Sequence, residues 1–128
     1  MIWFLCKTGE PKIMLAKRLA PCKTFVGYWA AAGGKVDADE CAISAAQRET
    51  QEETGMKIAR DQFKLVDCFV EDDFRCFLFE VHLPLHRFNE IKNTEPDKHT
   101  PWEIFTAQEA LKLPRLMPAL RKLLLTKA

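Results

Sequence analysis

The stretch from Cys41 to Thr54 constrains this chain more than any other. It is rich in Ala, Gln and Glu and is followed by Gly55. Ala, Gln and Glu lose little freedom in a helix, and a glycine just beyond supplies the left-handed residue that ends one. The segment therefore predicts a helix over Cys41 to Thr54. Ile43, Ala46 and Thr50 fall at i, i+3 and i+7 and form a stripe that can be buried. Glu49, Glu52 and Glu53 fall at i, i+3 and i+4 and project from one face. Such a helix needs an apolar surface to lie on, and the rest of the chain offers strands.

Ile2 to Cys6 and Lys12 to Arg18 read as strands joined by a turn at Thr8-Gly9-Glu10-Pro11. Leu19 to Gly27 reads as a loop. Tyr28 to Ala32 leads into Gly33-Gly34, where backbone can turn tightly or approach a ligand. Phe63 to Val70 and Phe74 to Leu83 form a hairpin candidate around Glu71-Asp72-Asp73. Pro84 to Pro101 reads as polar and irregular, and Trp102 to Phe105 as a short strand. Thr106 and Glu109 have capping-box spacing at the start of a short helix, which Pro114 breaks. Pro118 suits the first turn of a last helix running to about Leu125. Strands, helix, strands, helices in that order predict an α/β (α+β) fold, with helices packed on a mixed sheet.

At 128 residues the chain is expected to form a single domain, residues 1–128. Its net charge is +1, which gives no electrostatic footprint for broad nucleic-acid or membrane binding. No apolar run approaches the roughly 18 residues that span a bilayer. The five cysteines, Cys6, Cys22, Cys41, Cys68 and Cys76, are odd in number and show no C-x-x-C spacing. They read as reduced thiols, and the expected location is cytoplasmic.

The carboxylate face admits two readings. Glu-rich helices are commonly solvated, and Arg48 with Glu52 could be an i, i+4 surface pair. Alternatively, three carboxylates that repel one another await a divalent cation. Mg²⁺ takes oxygen ligands and typically combines a few carboxylates with substrate phosphate oxygens. Bound there, it would polarise a phosphoryl group and help generate hydroxide from water.

The wider spacing bears on this choice. Gly34, five residues, Glu40, seven residues, then Arg48-Glu49-Thr50-Gln51-Glu52-Glu53-Thr54-Gly55-Met56 resembles the Nudix box, G-x5-E-x7-R-E-U-x-E-E-x-G-U. Thr50 stands where the family usually has a bulky aliphatic residue. Ala32 stands where it commonly has Pro, and Cys41 where Ser or Thr often caps the helix. Outside the box, Lys12 to Arg18, Gly27-Tyr28-Trp29 and the stretch from Asn93 to Leu111 are similar to flanking segments of MutT-type members.

The resemblance implies a Nudix-like α/β/α sandwich and a Mg²⁺-dependent pyrophosphohydrolase, with Mn²⁺ as a possible substitute. It implies that Glu49, Glu52 and Glu53 are metal-binding and catalytic carboxylates, with Glu53 the leading ligand. Glu49 is either a ligand or the group that orients or deprotonates the attacking water. It further implies the Gly33 carbonyl as a ligand. Arg48 is implied in catalysis, and with Glu40 and Gly34 it holds the helix and loop in place. Glu95 and Asp97 are candidates for an acidic group outside the box, Glu95 as a ligand and Asp97 toward substrate. Each reads equally as a solvated loop charge. Lys17 and Arg18 could meet phosphates, or be ordinary strand-end charges. Phe25, Tyr28 and Trp29 could stack on a base, or belong to the core.

The expected partner is a small nucleotide, with no nucleic acid or membrane involved and the chain a monomer or homodimer. The leading expectation is conversion of an NTP or dNTP to the monophosphate and pyrophosphate. Hydrolysis of ADP-ribose or a dinucleoside polyphosphate is the second, and a non-catalytic nucleotide- or protein-binding Nudix module the third. Arg115-Leu116-Met117 replaces the segment where MutT carries a base-reading Asn, so no preference for oxidised guanine follows.

Overall fold

The computed structural model describes residues 2–6, 11–20, 25–33, 39–71 and 74–127. Gly34, the turn residues Thr8 to Glu10, and Asp72 and Asp73 of the expected hairpin turn lie outside the described residues.

The elements run β1 (Ile2–Cys6), β2 (Lys12–Lys17), β3 (Trp29–Ala30), α1 (Ala42–Thr54), β4 (Lys64–Glu71), β5 (Phe74–His82), β6 (Glu103–Thr106), α2 (Ala107–Leu111) and α3 (Pro118–Lys127). β1 pairs parallel with β5, whereas β1·β2, β2·β3, β2·β6 and β4·β5 are antiparallel, so the sheet is mixed. Lys12 and Ile13 pair with β1 and also with β6, so those two strands lie on opposite edges of β2. The resulting order is β6-β2-β1-β5-β4. β3 takes the far part of β2, at Ala16 and Lys17.

Side-chain alternation along the strands decides the layering. Ile2, Phe4 and Cys6 of β1, Met14 of β2, and Phe79 and Val81 of β5 are buried with Ala46, Met56 and Ile58, on the α1 side. Their strand neighbours Leu5, Ile13, Leu15 and Leu78 are buried with Leu116, Met117, Leu120, Leu123 and Leu124, on the α3 side. Helices thus cover both faces of the sheet, which makes it an α/β/α sandwich.

Several boundaries differ from the sequence expectation. Cys41 is not helical: it is the N-cap of α1, in extended conformation and without a side-chain cap bond. Ile43 is only partly buried, and Thr54 joins Ala46 and Thr50 on the buried side. β5 ends at His82 rather than Leu83, and β6 begins at Glu103 rather than Trp102. The Pro84–Pro101 stretch, expected to be irregular, contains a 3₁₀ helix at Leu85–Glu90 that buries Phe88. α3 runs two residues past Leu125, to Lys127. The Thr106 capping box forms in both directions, at 3.1 and 2.9 Å.

Candidate active site

Helix α1 stops where the sequence says it must. Gly55 has φ 75°, and its N–H donates to the Gln51 carbonyl at 2.9 Å. The helix is unusual in what it buries. Thr50 and Thr54 are fully buried, and each hydroxyl donates to the carbonyl four residues back, Ala46 at 2.7 Å and Thr50 at 2.5 Å. These bonds satisfy two polar groups that burial would otherwise penalise. They explain how threonine serves at position 50, where an aliphatic residue was expected.

Glu53 is on the same buried side, with 8% of its surface exposed. Its Oε2 accepts a hydrogen bond from the Gly33 N–H at 2.6 Å, which joins α1 to the end of the β3 segment. This contact uses the Gly33 N–H and leaves the carbonyl, the expected ligand atom, a separate group. Burial pushes the Glu53 carboxyl up to about 8, against the Gly33 hydrogen bond and with added repulsion from Glu49 and Glu95. Glu49 is raised for the same first reason, burial, opposed by the charge of Arg48. Glu52 is half exposed, at 52% of its side chain.

Arg48 organises this face. Its Nε and Nη2 bind both oxygens of Glu40 at 2.9 Å each, a bidentate pair that fixes the residue just before the helix. Its Nη1 donates to Glu49 at 3.0 Å and to Glu52 at 3.2 Å. The expected i, i+4 pair with Glu52 is present, as one part of a four-residue cluster.

The 93–102 segment closes over the helix end. The Thr94 hydroxyl donates to the Glu52 carbonyl, and the Trp102 indole N–H to that of Glu53 at 3.4 Å. The Lys92 N–H donates to the Thr54 carbonyl at 2.9 Å. Carbonyls left open at the end of α1 are thereby capped from a distant segment. The same closure sets Glu95 where its charge acts on both Glu49 and Glu53. Asp97 is exposed, and its charge acts on Lys98. Lys98, which the sequence reading passed over, pairs with Glu95 at 2.9 Å and partly offsets the charge at Glu53.

The remaining candidates lie at the end of β2. The Lys17 ammonium sits 5.4 Å from the centre of the Trp29 ring. The backbone of Arg18 is clasped between Tyr28, Gly27 and His99. Trp29 meets Phe105 edge-on at 5.1 Å, and Phe25 meets Tyr28 at 5.3 Å. These rings pack partly buried against the α3-side core, so they already have structural partners.

The donor chemistry of the α1 face fits a hard divalent cation. All donors are carboxylate oxygens, and desolvation raises the pKa of the most buried of them. Among the described residues, no group of three or more such side chains is arranged to hold a metal ion. Glu49 and Glu52 are instead paired with Arg48, at 3.0 and 3.2 Å.

The chain matches the NUDIX domain family over residues 1–126. It belongs to that family. Among solved structures, this NUDIX chain is similar to a MutT NUDIX hydrolase from Burkholderia pseudomallei. The TM-score is 0.74 at 24% identity, over 100% of this chain and 99% of that one. Among curated proteins it is 33% identical over 58 residues to the m7GpppN-mRNA hydrolase NUDT17 of Danio rerio, covering 45% of this chain and 19% of that protein. It is 25% identical over 109 residues to Nudix hydrolase 3 of Arabidopsis thaliana, covering 84% of this chain and 14% of that protein. The chain thus spans less than a fifth of either curated relative. No helix among the described residues is long and apolar enough to cross a membrane.

Proposed function

We propose that this NUDIX chain is a divalent-cation-dependent hydrolase that cuts a phosphoanhydride bond in a small nucleotide. Its substrate is a nucleoside triphosphate, split by water attack on phosphorus into the monophosphate and pyrophosphate. The carrying observation is Glu53, buried and bonded to the Gly33 N–H, with Glu49 and Glu95 close enough to raise it further. A desolvated, mutually repelling carboxylate group is what a cation of charge +2 would stabilise.

Glu53 and Glu49 would hold that cation, Mg²⁺ or Mn²⁺ in its place, with Glu52 and Glu95 adding oxygens. When bound, it supplies positive charge at the phosphoryl oxygens. The chain's own residues do the rest. Glu49, partly buried beside Arg48, orients or deprotonates the water. Arg48 ties the carboxylates of the helix to Glu40 and so fixes the approach to α1. Lys17 and Arg18 give cationic groups for phosphates; Tyr28 and Trp29 are half-buried, so a base would meet only the part of each ring that the α3-side core leaves exposed. Asp97 and Gly34 flank the site in sequence.

The test is product analysis by ³¹P NMR across NTPs, dNTPs, ADP-ribose, dinucleoside polyphosphates and a cap dinucleotide, with Mg²⁺ and then with EDTA. Pyrophosphate release from an NTP, stopped by EDTA and restored by Mg²⁺, is the expected result. Two phosphorylated halves from an X-linked diphosphate, with NTPs untouched, would replace the triphosphate assignment. No cleavage of any member would overturn the hydrolase.

A further inference from the structure

The outer edge of β4 points to self-association. β4 is an eight-residue strand at one end of the sheet, and among the described residues it pairs only with β5. β6, at the other end, has four residues. Two apolar side chains stand out of β4, Leu65 at 50% and Val70 at 72% exposure, the latter the most exposed large apolar residue described. A shallow groove lined by Asp67, Phe69, Val70, Pro118, Ala119 and Lys122 borders the same strand. Unpaired edge groups beside exposed apolar side chains are a template for another strand.

The β4 register says which strand fits. β4 pairs with β5 as Leu65↔Phe79 and then Asp67↔Leu78, so Val66 is an extra residue and Val66 and Asp67 together face Leu78. Lys64 and Glu71 are seven apart, and in a regular strand they would lie on opposite faces. The bulge corrects this. Their β5 partners, Glu80 and Phe74, are six apart and share a face, and so do Phe79 and Arg75, the partners of Leu65 and Val70.

A second β4 laid antiparallel about Cys68 therefore stays in register along its length. Cys68 faces Cys68, Phe69 faces the Val66–Asp67 bulge, Val70 faces Leu65, and Glu71 faces Lys64. The two exposed apolar residues cover each other, and residues of opposite formal charge meet twice, as a two-fold axis requires. Lys64 makes no ion pair among the described residues that would compete. In the single chain, Asp67 Oδ1 accepts from the Cys68 N–H at 2.8 Å, covering the middle of the edge. That contact yields to the partner strand.

We propose that the chain forms a two-fold homodimer through antiparallel β4–β4 pairing centred on Cys68. The inference is independent of the catalytic reading, because β4, Lys64–Glu71, holds none of the candidate site residues. Sedimentation velocity on the full chain tests it. The wild type should sediment as a dimer at micromolar concentration, and Val70→Asp as a monomer. Lys64→Glu and Glu71→Lys should each weaken the dimer, and the double charge swap should restore it. Facing residues of an antiparallel pair have Cα atoms about 4.5–5.5 Å apart, a span a disulfide can bridge. Copper-phenanthroline and oxygen should therefore link wild-type chains covalently, and not Cys68→Ser. Circular dichroism melts confirm that each variant is folded. A monomer at every concentration, a dimer indifferent to Val70→Asp, or a double swap no tighter than the single changes would overturn the proposal.

Discussion

Helices α1 and α3 cover opposite faces of one sheet and do so by different means. α3 contributes Leu120, Leu123 and Leu124 to an apolar cluster that Met117 and Leu116 extend. α1 is held by Ala45 and Ala46 and buries Thr50, Glu53 and Thr54 as well. Burying a full Leu side chain contributes about 1.5–3 kcal/mol, and α3 has several. A buried carboxylate does the reverse unless it is paired or neutralised. One face is therefore built for stability, while the other keeps charges in a place where only a further ligand rewards them.

The largest expected effect comes from exchanging the roles of the two faces. Glu53→Gln should reduce turnover by about 100-fold or more, in line with removal of a key electrostatic group, while the metal-free protein melts no lower than wild type. Leu120→Ala should cost about 2–5 kcal/mol in denaturant unfolding and leave turnover per folded molecule near wild type. If Glu53→Gln destabilised the chain as much as Leu120→Ala, the contrast between the faces would be wrong.

Acidity sharpens the same contrast. The Glu53 carboxyl is raised from an ordinary 4.5 to about 8 in the fold. Between those values the folded chain holds a proton that the unfolded chain has released, so stability falls as pH rises through that window. The loss should amount to a few kcal/mol in metal-free protein. Chemical denaturation from pH 5 to 8 reads it. The slope should flatten in Glu53→Gln, and a slope of opposite sign assigned to this group would refute the burial argument.

How much of this was legible in the sequence follows from the range of each interaction. The α1 stripe, the Gly55 stop and the Thr106–Glu109 cap involve residues at most a few positions apart, and spacing exposes them. The 3₁₀ helix around Phe88 is too short to show a period, since its six residues bury one ring. In the sequence, Trp102 reads as the first residue of a short strand. Its indole instead bonds Glu53, 49 residues away. Lys98 was missed for the same reason, as its effect on Glu53 exists only after the 93–102 segment folds onto α1. Tyr28 and Trp29 carried a stacking reading, and the α3-side core supplies their packing.

Smaller effects should separate the two acidic loop candidates. Glu95 acts on Glu49 and Glu53, whereas Asp97 acts on Lys98 and is not among the charges that shift Glu49 or Glu53. Glu95→Gln should raise the Mg²⁺ concentration needed for activity by about 10-fold, the lower end for groups that support a metal site. Asp97→Asn should leave it near wild type. Titrating activity against Mg²⁺ distinguishes them, and equal responses would remove Glu95 from the site.

The central claim is that the buried face of α1 holds a divalent cation through Glu53. Mn²⁺ titration followed by EPR, on wild type and Glu53→Gln side by side at pH 8, measures it without reference to any substrate. The account predicts saturable loss of the free Mn²⁺ signal in wild type and little or none in Glu53→Gln. Equal binding by the two proteins would contradict it.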